Sequence, residues 1–144
     1  MPAEISAQLP PPTGAQIRRL EALMRKQPQL AIEPLHTHGP GFYARTIRVP
    51  AGATITGKVH ATEHLFILSE GTMLIVTEDG RQEVTAPFQC VARAGMKRVG
   101  HAITDVVCTN IHITTETDLA KLEADLIVPE ALAAPESVDL VEAA

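Results

Sequence analysis

Short apolar runs separated by turn residues fill the middle of the chain. Residues 42–49 are rich in β-forming side chains and stop at Pro50-Ala51-Gly52, a turn signal. Residues 53–56 follow as a second short strand, then 63–69 (EHLFILS) and 72–77 (TMLIVT), parted by Glu70-Gly71. Glu78-Asp79-Gly80 reads as a hairpin turn into residues 81–85. Beyond Pro87, residues 89–92, 97–102 and 105–114 complete the series. About nine or ten strands within roughly 75 residues predict a mainly β domain of the sandwich or barrel class.

Helical signals stand only at the flanks. Thr13 and Gln16 have capping-box spacing, and residues 16–26 read as a helix with Ile17, Leu20 and Met24 along one stripe. Pro28 and Pro34 end it and lead into a loop holding His36, His38 and Gly39-Pro40-Gly41. At the other end, Thr115 and Asp118 form a second capping signal, and Leu119, Leu122 and Leu126 sit at helical spacing before Pro129. The chain is divided accordingly into an extended leader plus helix (1–41), a β unit (42–114), and a helix with an acidic tail (115–144), one domain overall.

Composition narrows the function classes. The chain has 144 residues, one domain's worth, and no apolar run near the roughly 18 residues that span a bilayer. The first residues lack the basic start and apolar stretch of a secretory signal, so a cytoplasmic, non-membrane protein is expected. Residues 15–114 carry 11 Lys and Arg against 8 Asp and Glu, whereas residues 115–144 carry 8 acids and one base. With no basic cluster, and only three Phe and one Tyr for stacking, nucleic acid is not the expected partner. Cys90 and Cys108 are too few for a disulfide scaffold and read as buried thiols in a reducing compartment.

The densest chemistry is Lys58-Val59-His60-Ala61-Thr62-Glu63-His64. Two imidazoles and a carboxylate within five residues are metal-ligand composition. His60 to His64 also spells H-x-x-E-H, but that zinc-protease motif needs a helix, and an apolar β-type run follows here.

On a β framework the same stretch resembles the first motif of the cupins, G-x5-H-x-H-x3-E-x6-G. Gly52, His60 and Gly71 fall in register, with Lys58 in the first His slot and His64 in the Glu slot. Of the second motif, G-x5-P-x-G-x2-H-x3-N, Gly95 keeps the inner glycine, while Arg93, Arg98 and Ala102 take the Pro, His and Asn slots. The resemblance implies a single cupin-type β-barrel (jelly roll) with short flanking helices. It also implies a homodimer or higher homo-oligomer.

Three arrangements fit the altered ligand set. In the first, His60 and His64 hold a divalent transition metal (Zn, Fe, Mn or Ni) with a third ligand from His112, His101, Glu63, His36 or His38. In the second, Lys58, Arg98 and the histidines form a cationic pocket for a small carboxylate or phosphate. In the third, the site is relict, and Glu63 pairs with Lys58 or Arg98. The first carries the leading expectation: His60, His64 and His112 as ligands, assisted by Glu63 or His101. Lys58, Arg98, Tyr43 and Arg45 would then position a small anionic molecule. Cupins include dioxygenases, isomerases, decarboxylases and non-catalytic binders, and fold does not choose among them. The alternative is a binding or assembly module without catalysis.

Overall fold

The computed structural model describes residues 10–128. The first nine residues of the expected leader and the expected tail from Pro129 lie outside them. Among the described residues the elements run α1 (Gly14–Met24), β1 (Leu35–Gly39), β2 (Phe42–Val49), β3 (Thr54–Thr56), β4 (His64–Glu70) and β5 (Thr72–Thr77). They continue as β6 (Gly80–Thr85), β7 (Phe88–Ala92), β8 (Val99–Ala102), β9 (Val106–Ile113) and α2 (Leu119–Leu126).

The strands form two antiparallel sheets, one ordered β1-β2-β9-β4-β7 and the other β3-β8-β5-β6. Alternation decides which side chains meet between them. On β2 every second residue from Tyr43 to Val49 is buried, and on β4 His64, Phe66 and Leu68 are. Ile47, Phe66, Leu68 and Cys108 from the first sheet join Ile55, Met73, Val84 and Ala102 from the second in one core. This is the expected jelly roll. Gly71, at the tight β4–β5 turn, has φ +86°, and a Cβ there would lie 2.1 Å from the Asp105 carbonyl oxygen, so only glycine fits.

Three local expectations change. Residues 35–39 are a strand and not a loop. Pro40-Gly41 serves as a hairpin turn, with Gly41 at φ +86°, and β1 pairs with β2 from Leu35↔Thr46 to Gly39↔Phe42. The second helix is capped by Asp118, whose carboxylate accepts from Ala120 N and Lys121 N, and not by Thr115. On α1 the capping box forms as read, between Thr13 and Gln16. Its apolar stripe does not: Ile17 is buried, Leu20 is exposed, and the inward position one residue later belongs to Glu21. No described helix is long and apolar enough to cross a membrane.

Candidate metal centre

Register brings the histidines together. Leu65 of β4 pairs with Ile111 of β9, so His64 and His112 stand one step beyond that pair on the opposite, inward face. His60 comes from the segment between β3 and β4. Its carbonyl accepts from Gly95 N at 3.0 Å, and it bridges to Ile127 just after α2. Ala61 N donates to Leu126 O at 2.7 Å, and Val128 N donates to Val59 O at 2.8 Å. The end of α2 therefore holds the backbone that carries His60.

All three rings are buried. Their centroids lie 4.2 Å (His60–His64), 4.9 Å (His60–His112) and 4.7 Å (His64–His112) apart. One ring nitrogen from each lies within 4.8 Å of the others. Burial is the main force on their protonation, and the Arg98 guanidinium adds to it. His60 is pushed down to about 2, His64 to about 3 and His112 to about 4. For His64 the Thr62 backbone and Asn110 oppose the shift. All three are thus neutral at pH 7, the state in which imidazole ligates a metal. Nδ1 of His60 and of His112 is buried with no hydrogen-bond partner, an arrangement that is costly without a further ligand. Borderline-soft N donors at this spacing suit a divalent transition ion.

Beside the triad lies a cavity of about 330 Å³. His60, His112, Arg45 and Tyr43 form its polar wall, and Leu119, Leu122 and Leu126 of α2 its apolar one. Tyr43 pairs across the sheet with His112 and stacks on it at 6.3 Å. Its hydroxyl lies 2.7 Å from His36 Nδ1, and burial raises its pKa. Arg45 is buried at the same wall.

No protein-family model matches the sequence, and no curated protein matches it. Solved structures do match the fold. A cupin superfamily protein from Desulfitobacterium hafniense aligns at TM-score 0.51 and 8% identity, over 64% of this chain and 85% of its own. The chain has the cupin fold. Salicylate 1,2-dioxygenase from Pseudoaminobacter salicylatoxidans, solved with gentisate, aligns at TM-score 0.53 and 14% identity, over 76% of this chain and 32% of its own. KdgF from Halomonas sp. aligns at TM-score 0.50 and 12% identity, over 62% and 91%. At these identities the likeness is one of fold.

On the cupin framework the remaining candidates divide. Glu63 is exposed and outside the triad. His101, on β8, shares a hydrogen bond of 2.7 Å with Thr54 Oγ1 and also stays outside. Lys58 lines the 330 Å³ cavity, but its Nζ donates to Glu123 Oε1 at 2.7 Å, so its acid comes from α2 and not from Glu63. Arg98 places Nη2 3.3 Å from His64 Nε2 and its guanidinium 5.3 Å from the Phe66 ring centre. His38 stacks on Tyr43 and is no member of the triad. Sequence reasoning missed the part of α2. Its leucine spacing is the available signal, and it predicts a helix without marking a cavity wall.

Proposed function

We propose that the protein binds one divalent transition metal through His60, His64 and His112 and holds a small anionic molecule beside it, as a metal-dependent enzyme would. The observation that carries this reading is three buried, neutral imidazoles with donor atoms within 4.8 Å of one another. The metal, from the set zinc, iron, manganese and nickel, would supply Lewis-acid polarisation. The chain's own groups do the rest. Arg45 offers a guanidinium to an anion in the 330 Å³ cavity, Tyr43 offers a phenol, and Lys58 stands at the wall with Glu123. The leucines of α2 keep bulk water from that side. Free thiols at Cys90 and Cys108 suit a reducing, cytoplasmic compartment.

The homo-oligomer expectation has its own support. The outward face of the five-stranded sheet joins Leu35, Phe42, Ile111, Ile113, Leu65 and Val91, and Ile113 is 92% exposed. Such a face suits a second copy.

The test is elemental analysis of untagged protein purified without chelator, beside a His60→Ala/His64→Ala variant. About one metal per chain in the first and none in the second is expected. Metal-free protein that stays so after dialysis against zinc, iron, manganese and nickel favours the non-catalytic binding module.

A further inference from the structure

Arg98 stands apart from its buried neighbour Lys97, which faces Glu21. Its guanidinium touches the triad through His64 and lies over Phe66. No described carboxylate acts on it. The charges that do are the thiols of Cys90 and Cys108, and burial pushes both of these up, Cys108 to about 11, so they are protonated at pH 7. A half-buried guanidinium without a counter-ion is poorly stabilised, because the solvent it has lost is not replaced by opposite charge.

Space for the missing charge exists. Arg98 lines a small cavity of about 60 Å³ between the sheets, with Asn110 and Cys108. It also lines a cavity of about 310 Å³ reached past β6 and β7, where Arg81 and Arg93 stand. Neither shares a lining residue with the 330 Å³ cavity, and neither is lined by a triad histidine, so Arg98 opens on a second side and reaches the triad only through its contact with His64. Arg93 is paired with Asp79.

We infer that Arg98 anchors a small carboxylate anion on this second side, and that the metal and the anion are taken up together. The inference rests on the metal reading and deepens it. Three neutral imidazoles leave the full charge of a divalent ion in place. That charge and the guanidinium repel each other across His64. An anion on the far side of the guanidinium offsets its charge and so weakens that repulsion, and each ligand strengthens the other by the same factor. A planar guanidinium matches a carboxylate through two parallel hydrogen bonds, which makes a carboxylate the fitting class.

The experiment is a titration with Co²⁺ in chloride-free buffer, followed by visible absorption, with and without millimolar formate. For the wild type we expect formate to tighten Co²⁺ binding by about tenfold, within the usual range of coupling between sites. Arg98→Gln should bind Co²⁺ without formate at least as tightly as the wild type and gain nothing from formate. Arg98→Lys keeps the charge but loses the fork, so its gain should be smaller than the wild type's. It decides the matter should Arg98→Gln not fold. No gain in the wild type, or an equal gain in the variants, overturns the proposal. Co²⁺ uptake without a formate effect overturns it alone; no uptake by any form overturns the metal reading as well.

Discussion

Lys97 and Arg98 are neighbours in the chain and are both taken out of water, yet they turn to different partners. Lys97 is 1% exposed, and its Nζ lies 2.9 Å from Glu21 Oε2, whose side chain is 0% exposed. Thr56 donates to the same carboxylate oxygen. This cluster pins α1 to the second sheet and is charge-matched. Arg98 faces His64 and meets no acid among the described residues. A buried cation with its acid in the fold is a structural tether. A half-buried cation beside imidazoles of which two, His60 and His112, have buried Nδ1 atoms without a partner marks where something outside the chain belongs.

The comparison is open to breaking on the stability side first. Lys97→Met removes the buried cation that faces Glu21, and should cost about 3–5 kcal/mol by urea unfolding. Arg98→Gln should cost less than about 1 kcal/mol, since it removes an unmatched charge. Equal costs would erase the distinction. Replacing the pair together, Glu21→Leu with Lys97→Met, should recover most of the loss.

On the binding side, His112→Ala should weaken metal binding by more than about a hundredfold, because one of three ligands is gone. Lys97→Met, once folded, should leave it unchanged. Isothermal titration measures both.

Acidification sharpens the contrast further. In the fold His60, His64 and His112 are neutral down to about 2, 3 and 4, whereas the unfolded chain takes up those protons near 6.5. Below pH 6.5 the unfolded state therefore binds more protons, and metal-free protein should lose stability as the pH falls from 6.5 to 4. Denaturant midpoints across that window should be flatter in His60→Asn/His64→Asn. The smallest effect belongs to Lys58–Glu123, whose acid is largely in solvent: Glu123→Gln should cost at most about 1 kcal/mol.

What the sequence disclosed follows the range of the interactions. The Thr13–Gln16 box and the strands around Asp79-Gly80 are local, and they were readable from spacing alone. His60 and His64 were legible because the cupin-like spacing from Gly52 to Gly71 encodes two successive strands and their turns. His112 followed from its place on the last strand. The Glu21–Lys97 pair joins residues far apart in the chain, and no local pattern announces an acid facing inward from a helix. Strand β1 was hidden by Gly39-Pro40-Gly41, which also serves a tight hairpin. The role of α2 as a cavity wall was set by backbone hydrogen bonds to residues 59 and 61, again at long range.

The central claim is that three imidazoles hold a metal with no carboxylate or thiolate among the protein ligands. X-ray absorption at the metal edge of loaded, untagged protein tests it most directly. The account expects three imidazole nitrogens at about 2.0–2.1 Å for zinc, completed by oxygen, with no sulfur. A first shell of oxygens alone, or one with sulfur, would contradict it.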